Sequence, residues 1–355
     1  MTVPPKRAGV AVQPTATPAP QPLRRSVTDG GLGFRCYSAL MSLLGIVLEP
    51  LGQLLGRKRV PWMFLAPNMG FFTVFNLIPI GLLVYYSFSA GTSIFANRRT
   101  FVGLNNYRTI LDCQDVTNPS SCEVDLFWRG VWNTVGFVAF EVVGLILLAL
   151  VAALALNSNI RARGFFRSVL FYPVLLSPVV VALVWQWILQ SDGLLNAALD
   201  AVGLPTVDWL IDQNWSRVWV IIIAVWSNFG FHMLILLAGL QAISPQLYEA
   251  AKVDGASGWQ QFRQITMPLL RPSLLVVFML AFIRSVQTFD LPYILTSGGP
   301  GSRNVFIVQY IYSIGFATPT RNYGLAATAS VLLAIVLVIT SYIQMRADRR
   351  ITEAQ

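Results

Sequence analysis

Histidine, cysteine, lysine and charge are all scarce in this 355-residue sequence. It has one histidine, His232, three lysines, three cysteines and 12% charged residues, whereas an average soluble domain has about 25% charged residues. A single histidine without a CxxC pair argues against a zinc site, and its apolar neighbours in the sequence argue against a Ser–His–Asp centre. No GxxxxGK[ST] motif occurs, which excludes a phosphate-binding loop of that type. We therefore predict no catalytic residue and no metal site.

The sequence is instead rich in long apolar segments. It is 55% hydrophobic, with a mean hydropathy of +0.61, and a soluble fold of this size could not cover itself with polar surface. Six apolar segments approach or exceed the roughly 20 residues that a helix needs to cross a bilayer. They predict an all-α membrane protein with six transmembrane helices, at Trp62–Phe88, Gly130–Leu156, Phe165–Leu189, Arg217–Ile243, Leu274–Thr296 and Tyr323–Met345.

The positive charges predict how these helices are oriented. With the N-terminus in the cytoplasm, 17 Lys and Arg residues fall on the inner side and seven on the outer side, while Arg284 lies within a span. Positive residues concentrate in cytoplasmic loops, so both termini are expected to be cytoplasmic. The net charge of +9 is then explained by contact with anionic lipid and does not indicate nucleic-acid binding.

Four regions follow from this pattern. Residues 1–33, rich in Pro, Ala, Thr and Gly, are predicted to be a disordered cytoplasmic tail. Residues 34–59 predict an amphipathic helix and a basic linker, the helix lying either at the membrane interface or against the bundle. Residues 60–346 are the predicted transmembrane domain, and residues 347–355 a cytoplasmic C-terminal tail.

Two of the three cysteines lie in one outer loop. Cys113 and Cys122 flank a turn-forming segment, in a compartment that permits disulfides. We expect them to be paired, with two free thiols as the alternative.

The cytoplasmic loop 244–272 between the fourth and fifth spans is unusually long. Ser244 and Pro245 are typical of a helix start, and Gly255 permits a sharp turn after the helix. A second helix is predicted from Ser257, with Pro268 and Pro272 expected to break the chain before the next span. Two short helices could dock onto a partner or form a plain amphipathic surface loop.

A resemblance to a known family rests on this loop. The residues Glu249-Ala250-Ala251, Gly255, Ile265 and Met267-Pro268 resemble the EAA signature of ABC-importer permeases, which has leucine where Met267 stands. Further matches resemble the carbohydrate-uptake (maltose and glycerol-phosphate type) branch, over about Trp62–Arg346; they include Trp132-Asn133-Thr134, Ser177-Pro178-Val179, Gly193-Leu194-Leu195-Asn196 and Thr296-Ser297-Gly298-Gly299-Pro300.

The resemblance implies a fold, a function and partners. The fold would be that of a type I ABC-importer permease, preceded by the amphipathic helix. The chain would form half of the path for a sugar or sugar-like solute in the bacterial or archaeal inner membrane. Its partners would be a second homologous permease subunit, two cytoplasmic ATPase subunits that bind ATP and Mg, an extracytoplasmic solute-binding protein and the bilayer. The residues implied in ATPase coupling are Glu249, Ala250, Ala251, Asp254, Gly255, Ile265 and Pro268.

The solute path is predicted by two different criteria. Polar residues within spans usually face a cavity or the bundle interior, and here they are Glu141, Asn228, His232, Arg284, Ser285, Gln287, Thr288 and Asp290. Resemblance to the maltose permease implies a different set: Phe229, Gly230, Met233, Ala281, Arg284, Ser285 and Thr288.

Individual polar residues in the spans allow more than one role. Arg284 could pair with a phosphate or carboxylate of the solute, or it could be a structural partner of Glu141 or of a carbonyl. His232 is expected to be a bundle histidine with its hydrogen bonds satisfied, and a proton relay is the alternative. Glu141 is expected to cap a polar contact between helices, and contact with the solute is the alternative. Arg284 and Asp290, six residues apart, would point in different directions on a straight helix.

Three other functions fit the sequence less well. An ion-coupled secondary transporter is the main alternative, but the two halves show no internal repeat and the spans contain no series of carboxylates. A membrane enzyme would need clustered His, Asp and Cys near one face. A channel subunit would leave the long cytoplasmic loop unexplained.

Overall fold

The computed structural model describes residues 60–158 and 160–352, so the predicted tail 1–33, the predicted helix and linker 34–59, and residues 353–355 lie outside the described residues. The described chain is mainly helical. Six of its helices are long and apolar enough to cross a membrane, which confirms the predicted number: Phe64–Ser87, Asp125–Asn157, Pro178–Ala201, Gln213–Gln241, Gly258–Val286 and Tyr323–Arg346.

The chain divides into two compact units after Phe75. The described part of the first unit comprises α1 (Val60–Phe72) and the start of a π-helical turn, Thr73–Leu77. The second unit begins within that turn and continues with α2 (Ile78–Ser87). The remaining helices and strands pack within this second unit.

A small outer structure follows α2. Strands β1 (Ser89–Ala90) and β2 (Thr100–Phe101) pair antiparallel, and α3 (Asn105–Leu111) follows. Buried Arg99 bonds to Ser89, with its Nε donating to the hydroxyl at 2.7 Å and its Nη2 to the carbonyl at 3.1 Å. Asn106 donates to the Ser87 carbonyl at 2.9 Å. The bond to Ser87, the last residue of α2, satisfies a backbone carbonyl that the end of a helix otherwise leaves without a partner.

Helix α4 (Asp125–Asn157) is the first of two long helices at the centre of the second unit, and the short α5 (Arg163–Phe171) follows it after a turn. A 3₁₀ turn (Tyr172–Leu175) leads to α6 (Pro178–Leu189), and α7 (Leu194–Ala201) precedes the long α8 (Gln213–Gln241). Helices α4 and α8 pack along their length, and the core between them includes Phe137, Leu145 and Met233.

The loop after α8 differs from its prediction at the second helix. Helix α9 (Pro245–Val253) is present, and a capping box between Ser257 and Gln260 starts α10 (Gly258–Gln261). The chain then continues through the π-helical residues Phe262–Thr266 into α11 (Met267–Val286). The prediction that Pro268 and Pro272 break the chain was wrong, because the helical segment continues to Val286. Pro268 is the second residue of α11, just after the π-helical turn, and Pro272 lies inside α11, and each proline removes only one backbone donor.

Two of the predicted spans are interrupted. The segment predicted as Phe165–Leu189 is divided at the 3₁₀ turn, next to Pro173 and Pro178. The segment predicted as Leu274–Thr296 ends as α11 at Val286 and resumes as α12 (Asp290–Thr296). Non-helical backbone at membrane depth is tolerated only where it is buried in protein or lines a cavity.

Two final helices complete the unit. Helix α13 (Ile307–Tyr312) runs into a π-helical turn (Ser313–Ala317), and α14 covers Tyr323–Thr352. The helix therefore continues into the region that the sequence predicts as a C-terminal tail from residue 347. Buried Thr328 on α14 donates to the Ser87 carbonyl at 3.2 Å, which ties α14 to the end of α2.

Candidate functional site

A polar cavity of about 470 Å³ lies where the two interrupted spans meet α4 and α8. Both interruptions contribute to its wall, through Pro173 and Leu176 on one side and Gln287 and Phe289 on the other. All of the polar intramembrane residues singled out from the sequence line it: Glu141, Asn228, His232, Arg284, Ser285, Gln287, Thr288 and Asp290.

The cavity lies near the middle of the spans. Glu141 comes 16 residues after the start of α4 at Asp125, which is about 24 Å along a helix axis. His232 comes 19 residues after the start of α8 at Gln213, about 28 Å along that helix. Glu141 is 16 residues from either end of α4, and His232 is nine residues from the C-terminal end of α8. The polar groups therefore lie at a depth where lipid could not solvate them.

Three buried side chains in the cavity wall have polar atoms without a protein partner among the described residues. They are Glu141 Oε2, His232 Nε2 and Ser285 Oγ. The expectation that His232 has its hydrogen bonds satisfied was wrong for one of its two ring nitrogens. Its Nδ1 lies 3.0 Å from the Asn228 carbonyl, but its Nε2 has no partner among the described residues. A carbonyl can only accept, so Nδ1 donates and the Nε2 of a neutral ring is an acceptor. A buried group without a partner costs stability, and these three could bond to the hydroxyls of a bound molecule.

The two charged residues at the interruption of the fifth span have a different geometry from the one predicted. Arg284 and Asp290 both line the cavity, because the helix is broken between them and a straight-helix projection does not apply. Both are exposed, and neither forms an ion pair within the described part of the chain. The Arg284 guanidinium lies 5.5 Å from the ring of Phe231, and among the described residues it forms no ion pair with Glu141.

Aromatic rings flank the cavity beside α12. Phe289 lines the cavity and stacks on Tyr293 with 5.0 Å between ring centroids and 19° between planes. Tyr312 lies 5.0 Å from Phe289. Flat apolar rings of this kind can stack on the apolar face of a sugar.

The residues transferred from the maltose permease divide into two groups. Ala281, Arg284, Ser285 and Thr288 line the cavity. Phe229, Gly230 and Met233 are buried on other faces of α8 and do not line it. Their positions as solute contacts stay predictions. The polar residues that line the cavity could be predicted more simply, because polar side chains on an apolar helix indicate the face that lines a cavity.

Gly230 has a clear packing environment. A Cβ added there would lie 2.4 Å from the Leu170 carbonyl oxygen and 3.0 Å from Phe171 Cα. Both contacts are with backbone, which cannot rotate away. The missing side chain therefore lets α8 approach the end of α5 closely.

The predicted coupling residues of the EAA-like segment lie on α9, in the turn after it, in the π-helical turn and at the start of α11. Glu249, Ala250 and Asp254 are exposed, and Ala251 is half-buried. Gly255 has a φ of +77°, a backbone conformation that glycine adopts without strain. Ile265 and Pro268 are half-buried in the segment that leads into α11.

Exposed apolar side chains accompany these residues on the same loop. Val253 is 88% exposed and Trp259 is 69% exposed. The base of the loop is fixed by a hydrogen bond of 3.0 Å between the hydroxyls of Tyr248 and Thr266. A fixed loop with exposed apolar tips has the character of a docking element.

The structure joins Cys113 and Cys122 through a disulfide. The enclosed turn contains Asp115, whose carboxylate accepts hydrogen bonds from Thr117; these bonds hold the pKa of Asp115 below its usual range. Trp132 on α4 donates to the Val116 carbonyl at 2.7 Å. The loop is therefore anchored onto the first turns of α4.

Residues 145–353 match the family model described as "Binding-protein-dependent transport system inner membrane component". The chain belongs to this family. The resemblance to carbohydrate-uptake ABC permeases is thereby confirmed, and as a permease subunit the chain has no catalytic role of its own.

Individual relatives cover most of the chain. The lactose transport system permease protein LacF of Rhizobium radiobacter is 32% identical over 294 residues, covering 81% of this chain and 93% of the relative. The trehalose/maltose transport system permease protein MalF of Thermococcus litoralis is 31% identical over 296 residues, covering 82% and 94%. The sulfoquinovosyl glycerol transport system permease protein SmoG of Agrobacterium fabrum (strain C58) is 31% identical over 288 residues, covering 81% and 90%.

A solved structure supports the fold. A chain from a bacterial ABC transporter involved in the import of the acidic polysaccharide alginate aligns with a TM-score of 0.69 at 24% identity, covering 85% of this chain and 99% of that chain. The predicted type I permease fold, with six membrane helices, is confirmed. The permease is a multi-pass inner-membrane protein.

Proposed function

We propose that this permease forms half of the membrane path of an ATP-driven importer for a sugar or sugar-like solute. Its polar cavity would contact the solute, and α9 would receive an ATPase subunit. The observation that carries the proposal is the set of unpartnered buried atoms on Glu141, His232 and Ser285 around the mid-membrane cavity. Sugar hydroxyls both donate and accept, so they can satisfy all three.

The exposure of two charged residues and one polar residue supports a second permease subunit. Arg284, Gln287 and Asp290 are exposed on the isolated chain at the cavity. Leaving an ionised side chain against lipid is costly, and such residues normally face a bundle interior or a water-filled cavity. A homologous subunit closing over this face would provide that environment and the other half of the path.

The loop supports ATPase docking, with ATP and Mg bound by the partner. Burying an exposed side chain such as that of Val253 stabilises a complex by about 1.5–3 kcal/mol. The exposed Glu249 and Asp254 would contribute charge at the edge of the contact. ATP-driven closure of the ATPase subunits would then move α9 and shift the permeases between two conformations.

The orientation follows from charge and from the disulfide. Both termini would be cytoplasmic, as the positive residues indicate. The Cys113–Cys122 loop would face the outside, where disulfides persist. An extracytoplasmic solute-binding protein would deliver the sugar from that side, as the relatives' family description implies.

Purification from native membranes in mild detergent tests the assembly. We expect one homologous permease and two ATPase copies to co-purify with each copy of this chain, and the solute-binding protein to be captured when its sugar is present. Recovery of the chain alone, or as a homodimer without ATPase, would contradict the proposal. It would favour the alternative of an ion-coupled secondary transporter.

Uptake by the reconstituted complex tests the cavity. We expect Ser285→Ala and Glu141→Gln each to raise the half-saturating solute concentration by roughly tenfold, the effect of losing one hydrogen bond to a buried partner. Phe140→Ala is the matched control, because Phe140 is the neighbour of Glu141 on α4 but is 69% exposed. Equal effects of all three substitutions would show that the cavity does not contact the solute.

A further inference from the structure

A second cavity, of about 540 Å³, lies near the start of α4 and is separate from the polar cavity described above. Arg129, at its edge, precedes Glu141 by 12 residues on the same helix, which is about 18 Å. Its wall combines the disulfide loop, α4, the start of α8 and the turn at Pro300–Arg303. Three arginines line it: Arg129, Arg217 and Arg303.

Positive charge in this outer cavity exceeds negative charge. Arg129 pairs with Asp125 at 3.1 Å. Arg217 and Arg303 have no acidic partner within the described residues, and the Arg217 Nε is buried without a hydrogen-bond partner. Two guanidinium groups without a counter-charge in a concave site favour a carboxylate, which arginine binds through paired hydrogen bonds.

The outer cavity is held rigid by hydrogen bonds. Asn133 donates to the carbonyls of Ser302 and Val305, at 2.8 and 2.9 Å. Arg217 donates to the Asn133 side chain and, at 2.8 Å, to the Arg303 carbonyl. The Arg303 side chain itself makes only a long bond of 3.4 Å, to Gln213. A preformed site loses less entropy on binding, and Arg303 keeps its guanidinium available.

The disulfide loop completes the wall. Ser120 accepts from Arg129 at 2.9 Å, and Thr117 and Pro119 line the outer cavity. The loop, the guanidinium groups and the turn at Pro300–Arg303 therefore form one continuous surface on the side proposed to face outwards.

The geometry points to this arginine cavity as the docking site for an acidic side chain of the solute-binding protein. The inference rests on the proposed function, in which such a protein delivers the solute from the outside. Its occupant is a protein carboxylate, because the cavity lies at the outer ends of the helices, where a delivering protein first meets the permease. Charge complementarity of this kind sets encounter rate and register.

The test uses the complete transporter in nanodiscs and the solute-binding protein identified by co-purification. ATPase stimulation is measured against the concentration of sugar-loaded binding protein. We expect Arg303→Gln to raise the half-saturating concentration roughly tenfold while leaving maximal stimulation unchanged, and Arg303→Glu to raise it further. Arg321→Gln is the control, since Arg321 is an exposed arginine that does not line the outer cavity. Higher NaCl should reduce the difference between wild type and Arg303→Gln.

A charge exchange provides the second measurement. One Asp or Glu of the binding protein, changed to Arg, should restore stimulation of the Arg303→Glu transporter. The inference is overturned if Arg303→Gln matches Arg321→Gln, if only maximal stimulation falls, or if the effect appears with acidic solutes alone, which would assign the cavity to the solute. No stimulation of the wild-type transporter by any binding protein would instead refute the proposed function.

Discussion

Gly230 allows a sharp test of how α8 is held. The maltose-permease resemblance places this residue in the solute path, whereas the structure places it against backbone atoms of Leu170 and Phe171, at 2.4 and 3.0 Å from an added Cβ. Gly230→Ala forces α8 and the end of α5 apart. Overpacking of this kind costs about 1–3 kcal/mol, while alanine gains about 1 kcal/mol of helix propensity.

Gly136→Ala on α4 is the matched control, because an added Cβ there meets nothing within 4 Å. It gains the same propensity without the clash, so the difference between the two variants isolates the clash. At about 2–4 °C per kcal/mol, Gly230→Ala should melt on the order of 5 °C below Gly136→Ala. The assay is thermal unfolding of the purified complex, with solute half-saturation measured in parallel.

One result would refute the packing role. Suppose that the Gly230→Ala and Gly136→Ala variants have the same melting temperature, but Gly230→Ala raises the half-saturating solute concentration several-fold. Gly230 then contacts the solute, and α8 faces the cavity with a different side from the one seen in the structure. If stability falls and the solute affinity of the folded fraction is unchanged, the close approach of the two helices explains why glycine stands here.

Three further predictions follow from other parts of the molecule. Val253→Asp should reduce ATPase co-purification by roughly tenfold, because it removes apolar contact worth at least about 1.4 kcal/mol; unchanged recovery would remove Val253 from the docking surface. Replacing Cys113 and Cys122 by serine should destabilise the outer loop by about 2.5 kcal/mol, from the loop closure that the disulfide provides, seen as faster proteolysis of that loop; equal rates would contradict this. Asn196→Ala should lower the melting temperature more than any exposed Asn→Ala change. Asn196 is buried and accepts a hydrogen bond from Trp209 Nε1 at 2.9 Å, so the substitution leaves that donor without a partner at a cost of about 1–3 kcal/mol. An unchanged melting temperature would refute a stabilising role for this bond.

Much of the membrane fold was predictable from the sequence. Length and hydropathy alone determine that six helices cross the membrane, since a bilayer requires apolar segments of a minimum length and a soluble fold could not cover so much apolar surface. The EAA-like residues around Glu249 identified the family before any geometry was known. The polar residues of the spans, such as Glu141 and His232, indicated the cavity, because lipid would reject them elsewhere.

The sequence pattern did not predict where the membrane helices are interrupted. Hydropathy treats residues 274–296 as one span, but backbone dihedral angles change between Val286 and Asp290. A straight-helix projection therefore separated Arg284 from Asp290, while the tertiary structure brings both to one cavity.

Which face of α8 lines the cavity likewise depends on packing and could not be predicted from the sequence. Neighbouring positions on a helix differ by about 100° around its axis, so a motif alignment that is shifted by one residue selects a different face. Phe229 packs in the core, whereas its neighbour Asn228 lines the cavity. The arginine cavity brings together Arg129, Arg217 and Arg303, which are 88 and 86 positions apart in the chain. The sequence by itself determined the family, the number of spans and which residues are too polar for lipid; only the tertiary structure decided which of them meet, because that depends on where helices break and how closely their backbones pack.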